Sequence, residues 1–194
     1  MILISIQPFA VKKVLSFLAT VACLSTASCF AATTLFPVDS TPYDRQMTRI
    51  RPILSSGKSD AAGSNLPLSR VNRWMEDLRE IPYGYHVEWE TPFEVQSREP
   101  ADCKGKAVAL YQRMQENGAR NVRLVIGKRA PTSRVTHAWL VWETEQGTFV
   151  LDPTFNWMAC RAEQVRTGSY LPLYAYAGSK KFRATEASTL YATN

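Results

Sequence analysis

The chain has no apolar run long enough to span a bilayer. Its longest, Val14 to Leu24, falls well short of the roughly 20 residues a membrane helix needs. Charge is not lopsided either. There are 23 Lys and Arg against 17 Asp and Glu, a formal net charge of +6 spread along the chain. No basic stripe carries interleaved aromatics, so nucleic-acid binding is not expected. A phosphate loop is missing. Gly57-Lys58-Ser59 has the tail of one, but Pro52 stands where its first glycine belongs, and no strand leads into it. No internal repeat is visible. Histidine is scarce, with only His86 and His137, and cysteine is limited to Cys23, Cys29, Cys103 and Cys160.

What is present begins with an expected leader. Lys12 and Lys13 precede the apolar stretch, and Cys29-Phe30-Ala31 offers a small-x-small cleavage site. Residues 1–31 therefore read as a secretory signal peptide, and the product is expected to be exported. A retained anchor, or lipidation at Thr26-Ala27-Ser28-Cys29, are the alternatives. Cleavage after Ala31 leaves 163 residues, enough for one domain with its own core and no stable membrane span. It also leaves Cys103 and Cys160. In an oxidising compartment two cysteines invite a disulfide, which would remove any free thiol.

Residues 32–65, rich in Ser, Thr, Pro, Gly and Ala, are expected to form a flexible N-terminal segment. A domain follows over 66–194. Ser69 is placed as the cap of a helix to about Glu80, with Val71, Trp74, Met75 and Leu78 on one face. Asp102 is a good cap for a helix opening at Cys103, with Val108, Leu110, Tyr111 and Met114 on its buried face and Asn117-Gly118 at its end. Strands are expected at Asn121–Ile126, Thr136–Thr144 and Thr148–Asp152, the last two joined by a Glu145-Gln146-Gly147 turn. Tyr170 to Ala177 reads as an edge strand, since Pro172 disfavours a central position. Helices followed by an antiparallel sheet make an α+β domain.

Three residues on these elements could carry chemistry. Cys103 opens a helix, where unpaired N–H groups and the macrodipole favour a thiolate. His137 starts one strand of the hairpin and Asp152 ends the other. Adjacent strands lie about 5 Å apart, within hydrogen-bonding reach of two side chains. Cys103 would be the nucleophile, His137 the base and later the acid, and Asp152 the group that fixes the imidazole. Structural alternatives stand beside each role: a helix-start thiol, a satisfied buried histidine and a turn aspartate. His86, outside any such hairpin, is the weaker base.

The residues Arg70-Val71-Asn72-Arg73-Trp74-Met75, Trp89-Glu90-Thr91-Pro92-Phe93-Glu94, Asp102-Cys103, His137-Ala138 and Leu151-Asp152 occur in order over about 66–155. This set resembles the bacterial transglutaminase-like cysteine proteinases. The resemblance implies a papain-like α+β core, periplasmic export, and Cys103, His137 and Asp152 as nucleophile, base and orienting acid. It also implies a protein substrate, since the best-known relatives clip large surface adhesins. Two positions depart from the family. Its cysteine is usually followed by Glu-Asp, where this chain has Lys104-Gly105, and its aspartate by Asn, where this chain has Pro153. The second of those acids, with the Asp before the cysteine, is associated with calcium in the adhesin-clipping members. Only Asp102 stands here, so no metal or cofactor is assigned.

The leading expectation is an exported thiol hydrolase cleaving a peptide or related amide bond through an acyl-enzyme, with a cell-surface or envelope protein as substrate. The Cys103 backbone N–H would supply one oxyanion donor and Trp89 or Gln96 a second. An amine acceptor, or a side-chain amide substrate, would make the same residues a transamidase or deamidase. The competing reading is a catalytically silent module. Trp89, Trp139, Trp142, Trp157 and the tyrosines of 170–176 would then line a groove for peptide or glycan.

Overall fold

The computed structural model describes residues 34–56, 66–97 and 99–185. The expected leader, including Cys23 and Cys29, and the Gly57 to Gly63 stretch lie outside them. Among the described residues, four α-helices and seven strands form an α+β domain. The helices are α1 (Arg51–Ser55), α2 (Leu68–Glu80), α3 (Pro92–Gln96) and α4 (Cys103–Glu116). The strands are β1 (Leu35–Pro37), β2 (Val122–Lys128), β3 (His137–Thr144), β4 (Gly147–Leu151), β5 (Cys160–Arg161), β6 (Leu171–Ala177) and β7 (Lys180–Ala184). They pair in the order β1-β7-β6-β2-β3-β4-β5, each pair antiparallel.

Helix α4 is the centre of the packing. Val108, Leu110, Tyr111 and Met114 are buried, and so are Gly105, Lys106, Ala107 and Ala109. A helix enclosed on most sides must be covered by several elements. Here α1, α2 and α3 flank it, and β2 and β3 lie beneath. Each large apolar side chain buried there contributes about 2 kcal/mol over its exposed state. Along β3 the period of two sorts the residues. Ala138, Leu140 and Trp142 join the core under the helices, while Trp139 and Val141 join a second cluster with Val125, Val150 and Ala175.

Three expectations are corrected, and one alternative, the disulfide, is set aside. Residues 34–56 are not a loose segment: β1 pairs with β7, and Met47, Ile50 and Leu54 are core residues. Thr41 Oγ1 lies 2.6 Å from the Tyr176 hydroxyl, and Tyr111 donates to the Leu54 carbonyl. Their apolar residues are too sparse for a visible period, yet they close one side of α4. Strand β6 is interior, between β7 and β2, not an edge. Pro172 is accommodated because the β2–β6 register shifts at Ile126/Gly127, opposite it. The cap position of α2 is Pro67, not Ser69, which lies within the first turn. Cys103 and Cys160 are both free, so the disulfide does not form.

Candidate active site

Cys103 occupies the first helical position of α4 and is buried, 8 % exposed. Asp102 caps the helix as expected, its Oδ1 accepting from the N–H groups of Lys104 at 2.9 Å and Gly105 at 3.2 Å. The N–H of Cys103 has no acceptor within the helix, as for any first-turn residue. Asp102 is itself tied down, because its N–H donates to Glu90 Oε2 at 3.2 Å. Gly105 makes room for that carboxylate: a Cβ there would lie 2.7 Å from Glu90 Oε2. Burial pushes the Glu90 carboxyl up, against the pull of the Asp102 N–H.

His137 and Asp152 meet at the end of the sheet where β3 begins and β4 stops. His137 Nε2 lies 2.8 Å from Asp152 Oδ2. The register pairs Leu140 with Leu151, so one step on sets Asp152 across from Trp139. The contact with His137 is therefore diagonal, within reach of two long side chains. With Nε2 committed to Asp152, Nδ1 is the ring nitrogen left for the thiol. Burial disfavours the imidazolium. Hydrogen bonding and charge from Asp152 and Cys103 outweigh it and raise His137 to about 9. Asp152, fully buried, would be pushed up by that burial. His137, the Tyr170 hydroxyl and the Thr154 N–H hold it below the usual carboxylate range instead. His137 thus faces both Asp152 and Cys103, and the three residues singled out in the sequence come together in one cluster.

Several neighbours were not evident in the sequence. Asp152 Oδ1 accepts from the N–H groups of Thr154 at 3.0 Å and Phe155 at 3.3 Å. Tyr170 donates to Asp152 Oδ2 at 2.8 Å, and no local pattern announces it. Lys106, one turn after Cys103, is buried and donates to the Ile81 carbonyl at 2.5 Å. Burial and Arg79 lower its pKa, opposed by Asp152, Cys103 and Glu90. Rings flank the cluster on one side, with Phe155 edge-on to His137 at 5.2 Å and Trp139 stacked on it at 6.0 Å.

The two oxyanion candidates part ways. Gln96 ends α3 with its side chain exposed. Trp89 is 1 % exposed, and its Nε1 is a buried donor without a partner among the described residues. The tryptophan groove does not form, because Trp89, Trp139 and Trp142 are all core residues. Trp157 alone of that set is exposed, and it lies under the Arg79 guanidinium at 4.0 Å.

No protein-family model and no curated protein sequence matches this chain. Its fold is similar to that of LapG from Legionella pneumophila. An EGTA-treated LapG structure has 16% sequence identity and a TM-score of 0.53, covering 77% of this chain and 81% of LapG. A calcium-bound LapG structure gives 16% identity and 0.52, covering 77% and 85%. At that identity the likeness speaks to architecture, and the α+β fold expected from the sequence is the one these structures share.

Proposed function

We propose that the protein is an exported thiol hydrolase that cleaves a peptide or related amide bond of a protein substrate. The observation that carries this reading is the 2.8 Å contact between His137 Nε2 and Asp152 Oδ2, formed where Cys103 opens α4. The likeness to LapG supports the scaffold, and the leader composition supports export to the periplasm or beyond. A cell-surface or envelope protein is the substrate such a location offers.

In the proposed reaction Cys103 Sγ, as thiolate, adds to the substrate carbonyl carbon. The C–N bond then breaks as His137 Nδ1–H protonates the leaving amine, leaving a thioester. His137 next takes a proton from water, which attacks the thioester and frees the acid and the thiol. An amine in place of water would give transamidation, and a glutamine side chain as substrate would give deamidation. Asp152 holds the ring so that Nδ1 faces sulfur. The Cys103 N–H and the unpartnered Trp89 Nε1 are the donors proposed for the oxyanion.

Calcium, which is bound in one of the LapG structures, does not fit the residues here. Asp102 and Glu90 are the acids beside the cysteine. Glu90 Oε2 already accepts the Asp102 N–H and burial pushes its carboxyl up, and the Asp102 oxygens are likewise taken. Oδ1 accepts two backbone N–H groups. Oδ2 accepts the His86 N–H at 3.2 Å and the Lys104 ammonium. A divalent cation would have to displace a lysine whose charge already neutralises the carboxylate.

The test is digestion of a proteome-derived peptide library, with new termini mapped by mass spectrometry. Cleavage that disappears in Cys103→Ala and His137→Ala supports the reading. Cleavage that persists in Cys103→Ala, or a wild-type Cys103 that chloroacetamide does not alkylate, removes it. Adding a labelled amine separates hydrolysis from transamidation.

A further inference from the structure

Asp152 is held by more donors than orienting an imidazole requires. Oδ1 takes the Thr154 and Phe155 N–H groups, and Oδ2 takes both His137 Nε2 and the Tyr170 hydroxyl, each at 2.8 Å. The direction of the Tyr170 proton is fixed by Asn156, whose Nδ2 donates to the phenol oxygen at 3.2 Å. An amide NH2 has only protons to offer, so the hydroxyl proton is left to point at Asp152. Burial and the adjacent carboxylate push the Tyr170 phenol far above its ordinary range, so it is a neutral donor wherever the site works.

The ring is fixed as firmly as the hydroxyl. Tyr170 packs edge-on against Trp139 at 5.3 Å, and Trp139 stacks on His137. Arg129 lies 5.8 Å over the Tyr170 ring and accepts the Tyr170 N–H on its carbonyl at 3.0 Å. Tyr170 has φ +54°, a left-handed conformation uncommon outside glycine. The chain adopts it immediately before β6, at the residue that reaches Asp152.

We propose that Tyr170 is a positioning residue that completes the Cys103–His137–Asp152 set, fixing the Asp152 carboxylate and tempering its charge toward the imidazole. The inference rests on the catalytic reading for its purpose, but its geometry is independent of substrate. The charged and titratable groups facing Asp152 are His137 from β3, Lys106 from α4 and Tyr170, with Cys103 of α4 on the other side of His137 and Arg129 behind the phenol. Without the hydroxyl, Asp152 keeps its two backbone anchors on Oδ1 but loses a donor to its charged form. It then takes up a proton at higher pH. While ionised, it also holds the His137 proton more tightly. Both ends of the pH range over which the imidazolium stays paired move upward.

The test is Tyr170→Phe, which keeps the ring. The His137 imidazole is followed by 15N NMR across pH, and Cys103 alkylation is measured over the same range. The expected result is an upward shift of the His137 titration by about half a unit, near a threefold change in midpoint proton concentration. Asn156→Ala should move it the same way by less, and it decides the matter if Tyr170→Phe does not fold. A folded variant whose His137 titration stays within about 0.1 unit of wild type overturns the proposal, since a purely structural tyrosine would leave it there. The two readings separate cleanly. An inert Cys103 with a shifted His137 removes the hydrolase and keeps the Tyr170 link. A reactive Cys103 with an unshifted His137 does the reverse.

Discussion

The ammonium of Lys104 lies against the Asp102 carboxylate and donates to the His86 carbonyl at 2.9 Å. A tethered cation thereby joins the start of α4 to the loop that carries Tyr85, His86 and Trp89. Asp102 is 1 % exposed, so its charge cannot rely on water. Lys104→Ala should cost about 2 kcal/mol, the range for a hydrogen-bonded charge left with fewer partners. EGTA should leave both the melting temperature and the Cys103 alkylation rate of the wild type unchanged. A calcium-dependent rise in melting temperature would show that Lys104 yields its place to the ion.

Gly105 predicts a reversal of the usual helix rule. Glycine to alanine in a helix ordinarily gains about 0.5–1 kcal/mol. At this position the new Cβ would meet Glu90 Oε2 at 2.7 Å, Val95 Cγ2 at 3.0 Å and Glu90 Cβ at 3.1 Å. Glu90 is buried and hydrogen-bonded to the Asp102 N–H, so it does not swing aside freely. Gly105→Ala should instead lose about 1–3 kcal/mol in urea unfolding, as overpacking does. A stabilised variant would mean that Glu90 has another place to go.

The triad leaves a pH signature on stability. His137 is raised from 6.5 to about 9, so its contribution is complete below about 6.5 and is lost as pH climbs through about 9. Asp152 lies below its ordinary 3.8, so its contribution is complete above about 3.8 and is lost as pH falls. These are two ends of one interaction and count once. The melting-temperature gap between wild type and Asp152→Asn should be widest between about pH 4 and 6.5 and close toward pH 9. Calorimetry across that range checks it, and a gap that widens toward pH 9 contradicts a charged His137–Asp152 pair.

Local chemistry made much of this site legible. Asp102 as a cap, Cys103 at the first turn and the β3–β4 hairpin each follow from a few adjacent residues. The diagonal His137–Asp152 contact was within the range that a hairpin allows, though the register itself was not. What escaped depends on distant partners. Thr41 finds Tyr176 across 135 positions, which no window along the chain reveals. Pro172 argued for an edge strand because its missing donor was visible and the β2 bulge that tolerates it was not. Lys106 sits on an apolar helix face, and its buried end depends on the Ile81 carbonyl lying 25 positions earlier. Tyr170 lies 18 positions after Asp152, at a left-handed residue just before β6, and no local pattern links the two. The short helix α3 did carry a signal, the Thr91–Glu94 capping box, in which each side chain accepts the other's backbone N–H.

Trp89 gives the sharpest separation of thiol reactivity from acyl transfer. Its Nε1 has no partner among the described residues, so Trp89→Phe removes no hydrogen bond from the resting protein. The smaller ring leaves a gap in the core and should cost about 1–2 kcal/mol of stability. Alkylation of Cys103 by chloroacetamide develops no oxyanion, so its rate should stay within about twofold of wild type. Attack on an amide does develop one. Losing a preorganised donor should lower kcat by about 100- to 1000-fold, with KM little changed. Steady-state kinetics on a cleaved peptide beside the alkylation rate reads both quantities. If kcat and alkylation fall together, Trp89 supports the position of Cys103. If only kcat falls, the indole N–H acts on the transition state.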